Sequence, residues 1–507
     1  MFSEEEQGML PRTSSSRTSR SELYDGPISG KKEGALKVAA SAWLTLTQVF
    51  IPSFCQGSSA SRAARRQPRP GTSSLDGIRG YAAVAVMNYH ILYAFQSVVF
   101  YGYGLSGTAA LECARPEDRN EHNLWLHQLP IIRLLYTGTW PISIFFVLSG
   151  FALSYKPLRE SRKSEAGGDA DTTTTIVSSL LRRPFRLYGP PLIISFITML
   201  VIQFGAYEAG REISNNRNIV SVIDEMHHKR FHTLGLQLLD WLQQTWRMLN
   251  VFWWGDLHNK YDVHLWTIPT EFRCSLAIFL VLPAYVKVRP NMRKLFLAAL
   301  IVYVYALDRW DVALFYAGML IADTAITARQ SPDGVEPVKR SQYSPIYILR
   351  ALAFGLSLLF LSAPDFCIRD TPGFKTISLL IPSSDPAPFR FIPNLGGILL
   401  VAVLAHTDPS NRLVSLGLSS PFPQYLGRIS YSLYLVHGPL MHTLGYALFP
   451  LFWQITGVEE TWRYVIGFTA AYFVFIAVAI WTADLVCRTI DEPCVRLAKI
   501  IQMRISL

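Results

Sequence analysis

Ten apolar segments follow one another along this chain, at about 77–100, 139–156, 185–206, 264–286, 293–307, 310–327, 345–363, 391–406, 429–453 and 463–487. Each is near the roughly 20 residues that a helix needs to cross a bilayer, although the fifth is short. Hydrocarbon offers no partner to a backbone N–H or C=O, so segments of this length must satisfy their own hydrogen bonds as helices. The expected fold is therefore all-α: a polytopic membrane helix bundle of about ten transmembrane spans. Composition agrees, since half of the 507 residues are hydrophobic and only 17% are charged, against roughly 25% charged in an ordinary soluble domain. Mean hydropathy is +0.23.

Residues 1–74 are a different material. "EEEQGMLPRTSSSRTSRSELYDGPISGKKEG" and "SSASRAARRQPRPGTSS" are polar, rich in Ser and Arg and poor in large apolar side chains, which predicts a mostly disordered cytoplasmic region. Between them, residues 35–55 are apolar enough for an interfacial helix, with a true span as the alternative. Lys37, the lack of a small-residue cleavage site and the late start argue against a signal peptide. Residues 75–497 form the membrane domain and 498–507 a cytoplasmic tail.

Charge orients the spans. The stretch from Lys156 to Leu187 holds seven basic residues (Lys156, Arg159, Arg162, Lys163, Arg182, Arg183, Arg186), whereas Tyr101 to Gly138 holds three basic and four acidic. By the positive-inside rule the first is cytoplasmic, and alternation from it puts both termini inside. The membrane is thereby a partner of the chain. The excess of 47 Lys+Arg over 37 Asp+Glu follows from the same rule. No basic-aromatic motif calls for nucleic acid.

The first span, "SSLDGIRGYAAVAVMNYHILYAF", carries titratable groups where lipid would disfavour them. Arg79 and His90 are eleven residues apart, which at 100° per residue returns them to within about 20° of one face, about 16 Å apart along the axis. Asp76 lies one turn before Arg79 and can pair with it. A lone intramembrane His often only bridges helices. Here other spans place Glu271 about 10 Å from one membrane face and His437 about 14 Å from the other. Groups from three distant spans can thus converge near the middle of the bilayer.

Several pieces together resemble the acyltransferase-3 superfamily of membrane O-acyltransferases: "LDGIRGYAAVAVMNYH", with a basic residue, ten intervening positions and His; "ISIFFVLSGFALSY"; "RRPFRLYGPP"; "LWTIPTEF"; "ISYSLYLVHGPL"; and "IDEPCVRL". They occur in the family's order over about Leu75 to Leu497. The resemblance implies transfer of an acyl group, with acetyl-CoA or another acyl-CoA as donor substrate and no bound cofactor, to a hydroxyl-bearing acceptor: a carbohydrate, a lipid or a small metabolite. It also points to His90 as the general base. The chain departs from the bacterial pattern in its long basic N-terminal region and in the long outer segment 207–263.

The residues read by chemistry fit that expectation. No G-x-S-x-G elbow supports a serine acyl-enzyme, whereas a neutral His can take the acceptor's proton directly. His90, Arg79 and Glu271 are the candidate catalytic residues, with Arg79 able to hold acceptor, donor or Asp76 and Glu271 able to orient a His. Asp76, Trp266, His437, Arg182, Arg183 and Arg186 are candidate substrate-binding residues. The three arginines would meet the phosphates of coenzyme A, or else serve topology alone. "HNKYD", His258 to Asp262, has the H-x-x-x-D spacing of a soluble acyltransferase motif, but such a short pattern recurs by chance.

Six cysteines show no metal-ligand spacing, and no metal is expected. Cys113 and Cys367 fall in outer loops and could form a disulfide or remain two thiols. Ten spans with intramembrane charge also describe a transporter, although no internal repeat of the kind carriers show is visible. A lipid-binding protein without catalysis is the third reading.

Overall fold

The computed structural model describes residues 48–56, 72–118, 123–165, 171–216, 219–220, 225, 227–329, 345–407, 411 and 417–505. The chain divides into two compact units, 1–61 and 62–507. In the first, the described residues include a single helical turn at 48–50. Most of the disordered region expected over 1–74, and residues 35–47 of the expected interfacial helix, lie outside the described residues.

The second unit is helical at all ten predicted segments. Its long helices are α1 (Ser73–Phe95), α2 (Thr139–Glu165), α3 (Thr172–Gln203), α4 (Leu234–Leu249), α5 (Thr267–Tyr285), α6 (Pro290–Ala306), α7 (Trp310–Arg329), α8 (Pro345–Leu361), α9 (Pro388–His406), α10 (Pro421–Leu440), α11 (Tyr446–Thr456), α12 (Thr461–Val486) and α13 (Glu492–Ile505). Proline starts α6, α9 and α10, where its missing N–H costs no helical hydrogen bond. Among the described residues, six helical stretches are long and apolar enough to cross a membrane by length and composition: Thr139–Lys163, Thr172–Gln203, Val263–Tyr285, Trp310–Arg329, Pro388–His406 and Thr461–Ile505. α1 falls outside that set; it carries Asp76, Arg79, Asn88 and His90, the same polar groups that make it functionally interesting.

Helix ends differ from the sequence expectation where polar residues continue a helix beyond the apolar run. α2 extends to Glu165 and α3 begins at Thr172, capped by Asp171, whose side chain accepts from Thr174 N at 3.0 Å. Arg182, Arg183 and Arg186 are therefore inside a helix, not in a loop. α12 passes through a π-turn at Cys487–Asp491 into α13, so the tail is helical to Ile505. A second π-turn, Met441–Gly445, breaks the ninth predicted span into α10 and α11.

The bundle is closed by small residues and paired charges. At the crossing of α2 and α7, a Cβ on Gly150 would fall on the Phe315 carbonyl oxygen, and one on Gly318 on that of Val147. At the crossing of α1 and α10, a Cβ on Gly427 would fall on the Asp76 carbonyl oxygen, and one on Gly80 would come within 2.5 Å of Gly427 N. Where lipid removes the hydrophobic drive for association, such close backbone approach supplies packing energy instead. Asp323, fully buried, meets Arg162 at 2.7 Å, Arg293 at 3.0 Å and the Tyr285 hydroxyl at 3.0 Å, tying α2, α5, α6 and α7 together. Asp484 pairs with Arg428 and Arg488, each at 3.0 Å. Such intramembrane charges are tolerated because each has its counter-charge.

Outside the spans, Cys113 and Cys367 form a disulfide, which decides between the two readings of that pair. Beside it Arg115 lies 5.2 Å from the rings of both Phe100 and Phe366. α4 exposes Leu239 (64%) and Trp246 (70%) on its apolar face, a surface suited to lie in the bilayer interface.

The glycine contact between α1 and α10 sets the spacing of their side chains and yields a prediction. Gly427→Ala should destabilise the protein by about 1–3 kcal/mol through overpacking. Gly355→Ala, which meets nothing within 4 Å, should leave the thermal midpoint unchanged. Equal midpoints for the two variants in detergent would contradict the packing described here.

Candidate active site

Three imidazoles from three helical elements meet inside the bundle. His90 comes from α1, His437 from α10 and His264 from the short turn Val263–Trp266 that leads into α5. Ring centroids lie 3.9 Å apart for His90 and His264, 4.5 Å for His264 and His437, and 5.2 Å for His90 and His437. α10 can approach this closely because position 438 is glycine: a Cβ there would sit 2.6 Å from His264 Nδ1 and 2.8 Å from Asp262 Oδ1.

Two carboxylates hold the imidazoles. Asp262 Oδ1 accepts from the His264 backbone N–H at 3.0 Å and from its Nδ1 at 2.7 Å, a local turn that fixes the ring two residues on. Glu225 Oε1 lies 3.0 Å from His264 Nε2 and 3.5 Å from His90 Nδ1, and its Oε2 lies 3.2 Å from His442 Nε2. Both nitrogens of His264 thus face carboxylate oxygens, which calls for a proton on each and makes His264 a cation between two anions. Burial alone would raise the Glu225 carboxyl, but His264 and the other imidazoles hold it well below the usual carboxylate range. Beyond His442, His227 Nδ1 is 3.0 Å from His442 Nδ1, and its Nε2 is 2.6 Å from the Tyr207 carbonyl.

The segment carrying Glu225 is itself anchored. Arg211 donates to the carbonyl oxygens of His227 at 3.4 Å and His228 at 3.1 Å, and His228 Nε2 meets Asp240 of α4 at 3.0 Å.

Accessibility separates the members of the cluster. The His90 side chain is 20% exposed, whereas those of His264 and Glu225 are 5% and 2%. No hydrogen bond to His90 Nε2 is present among the described residues, so this nitrogen is the one available to a substrate. His437 donates from Nδ1 to the Leu433 carbonyl at 3.2 Å, and its buried Nε2 has no partner.

The other expected residues take varied places. Arg79 pairs with Asp76 at 2.9 Å and donates to the Gly427 carbonyl at 3.0 Å. Glu271 does not reach a histidine; it meets Arg183 at 2.5 Å and accepts from the Ser149 hydroxyl at 2.9 Å. Arg183 also donates to the Ser275 hydroxyl at 3.0 Å. Arg186 is exposed and has no ion-pair partner among the described residues. Arg182 stands apart, donating to the Ser178 carbonyl at 3.0 Å. Trp266 sits on the turn with His264, with the Arg390 guanidinium 5.8 Å from its ring.

Glu225, Asp262, His264 and His442 escape a reading by apolar span. Two signals for them are visible afterwards: the D-x-H spacing of Asp262 and His264, and the second His five residues after His437. His258 of the H-x-x-x-D pattern is exposed and pairs with Asp256 at 2.5 Å, far from such a role, while Asp262 of the same pattern belongs to the cluster.

Removing the charge of Glu225 would break a buried ion pair and leave His264 with Asp262 alone. Glu225→Gln should cost about 3–5 kcal/mol of stability, and Glu208→Gln, which breaks the more exposed pair with Arg211 at 2.7 Å, under about 1 kcal/mol. Chemical denaturation of both variants checks this, and comparable losses would show that Glu225 is not the counter-charge of the cluster.

The acyltransferase domain profile matches residues 72–484. An O-acetyltransferase, PaAT-1 of Phomopsis amygdali, is 30% identical over 489 residues, covering 89% of this chain and 87% of its own. Acyltransferase R4 of a Phoma species and acyltransferase clz18 of Cochliobolus lunatus are each 25% identical, covering 84% of this chain and 95% and 94% of their own. No solved structure matches. The convergence of R-x10-H on α1 with the imidazoles of α10 and of the turn before α5 lies within the matched region, and the chain belongs to the acyltransferase-3 family as an integral membrane acyltransferase.

Proposed function

We propose that this membrane acyltransferase moves an acyl group, in the simplest case acetyl, from a coenzyme A thioester to a hydroxyl of a carbohydrate, lipid or small metabolite, with His90 as general base. One observation carries the reading: among the described residues of the cluster, His90 is the imidazole that combines a partly exposed side chain with an uncommitted nitrogen, and a buried carboxylate stands behind it. The printed name of the Phomopsis relative supports acetyl as the group and oxygen as the accepting atom.

The chemistry follows from the two nitrogens of His90. With the one proton of His90 on Nδ1, which lies 3.0 Å from His264 Nε2 and 3.5 Å from Glu225 Oε1, the Nε2 lone pair faces the acceptor. Nε2 removes the hydroxyl proton as the oxygen attacks the thioester carbonyl. The carbon–sulfur bond then breaks, and the proton passes from Nε2 to the departing thiolate. The ester and free coenzyme A leave with no net proton taken from solvent, and no covalent enzyme intermediate is needed. Glu225 stabilises the imidazolium that forms between the two steps, as a carboxylate does behind any general-base histidine.

Arg186 and Arg79 are suited to the donor's phosphates, because a guanidinium presents a planar fork of donors. Glu271 serves here by holding Arg183, so its role is to position that guanidinium. Several phosphates could not be desolvated within the bundle; they stay at the cytoplasmic mouth while the pantetheine arm reaches about 16 Å along α1 to His90. In this topology both termini and residues 157–184 face the cytosol, and 101–138 and 364–390 face the other side. The Cys113–Cys367 disulfide joins those two outer loops, which supports an oxidising compartment there.

Purified protein given labelled acetyl-coenzyme A and an acceptor should release free thiol. His90→Ala should lower that turnover by about 10²-fold or more while the protein still folds; a rate near that of the parent removes His90 as base. Arg186→Gln should raise the Michaelis constant for the donor, flatten its salt dependence and leave that for the acceptor unchanged. An unaltered donor constant would assign Arg186 to topology alone. Single cysteines placed in 157–184 should react only from the cytosol, and labelling from the opposite face would overturn the orientation.

A further inference from the structure

The cluster has more ligating capacity than proton transfer uses. His437 is 2% exposed, its Nδ1 is committed to the Leu433 carbonyl, and its Nε2 has no partner. A buried imidazole nitrogen left without a hydrogen bond is costly, and general-base chemistry at His90 gives it no task. One ring nitrogen from each of His90, His264 and His437 lies within 4.8 Å of the others. Glu225 Oε1 joins them at 3.0 Å from His264 Nε2 and 3.5 Å from His90 Nδ1.

We propose that His90, His264, His437 and Glu225 form a binding site for a divalent transition metal of the zinc class, and that filling it shuts off acyl transfer. The donor set, three imidazoles and a carboxylate, is drawn from zinc's usual nitrogen and oxygen ligands and supplies four of them. Zinc–nitrogen bonds of 2.0–2.1 Å in a tetrahedron need ligand nitrogens about 3.3 Å apart. His90 Nδ1 and His264 Nε2 are already 3.0 Å apart, so small rotations of the rings suffice. The surrounding groups are those that orient metal-binding histidines: Asp262 holds Nδ1 of His264 and the Leu433 carbonyl holds Nδ1 of His437, turning both Nε2 atoms inward. The metal takes the place of the proton on His264 Nε2, which is released. The shut-off rests on His90 being the base. With the metal on Nδ1, the neutral ring carries its one proton on Nε2 and can no longer accept another.

The test uses the full-length protein in detergent, stripped with a chelator and titrated with Zn2+ against a chromogenic zinc indicator. One zinc should be bound per chain and survive desalting. His437→Gln should weaken it at least tenfold, and Asp262→Asn, which leaves all four ligands in place, by about 10–100-fold. Less than half an equivalent of zinc, or parental affinity in both variants, overturns the site. Should either variant fold poorly, Co2+ added to the parent protein decides alone: the intense visible absorption of a tetrahedral ion supports the site, and its absence overturns it. Zinc-loaded protein should lose acetyl transfer and regain it with chelator. Zinc that binds with the expected variant dependence while the rate holds or rises would leave the metal site standing and overturn both the shut-off and His90 as base.

Discussion

The ion pair between Glu225 and His264 is the interaction on which the site depends. Two carboxylates, Glu225 and Asp262, face the two nitrogens of His264, so a cation is sandwiched between anions in a region where water cannot screen them. That sandwich fixes the ring of His264 and thereby the position of Glu225. Only then does a carboxylate oxygen stand 3.5 Å behind His90. His90 itself makes few polar contacts, and its competence as a base derives from neighbours that never touch substrate.

The bundle is built to permit that arrangement. Glycines at 80, 427 and 438 remove the side chains that would hold α1, α10 and the His264 turn apart. Buried charges elsewhere, Asp323 with Arg162 and Arg293, and Asp484 with Arg428 and Arg488, are each matched. They lock helix registers without leaving a charge exposed to lipid. Arg186 differs from them in being exposed and without an ion-pair partner among the described residues, and its proposed role toward the donor rests on that difference.

Much of this was legible in the chain alone. Apolar length located ten helical segments, six of which, among the described residues, are long and apolar enough to cross a membrane, and helical periodicity placed Arg79 and His90 on one helix. The depth argument for His437 also led to the right neighbourhood, since its ring lies 5.2 Å from that of His90. Helix ends were less legible, because polar residues such as those from Thr172 to Arg186 extend a helix beyond its apolar run. Its depth makes Glu271 able to orient a histidine; its actual partner, Arg183, arrives from a different helix at a distance no one-dimensional pattern encodes. Glu225 was out of reach for a similar reason. It lies in a stretch with no apolar signature, and its described neighbours His227 and His228 are held by Arg211 and Asp240.

The central claim is that the reaction occurs at His90 Nε2 with the donor's phosphates at the Arg79 and Arg186 mouth. A structure of the protein with a non-reactive acetyl-coenzyme A analogue bound measures this directly. The carbonyl carbon should lie within reach of His90 Nε2, with Glu225 still behind Nδ1, and the phosphates beside Arg186. A thioester found away from the imidazole cluster, or phosphates bound at the opposite end of α1, would contradict it.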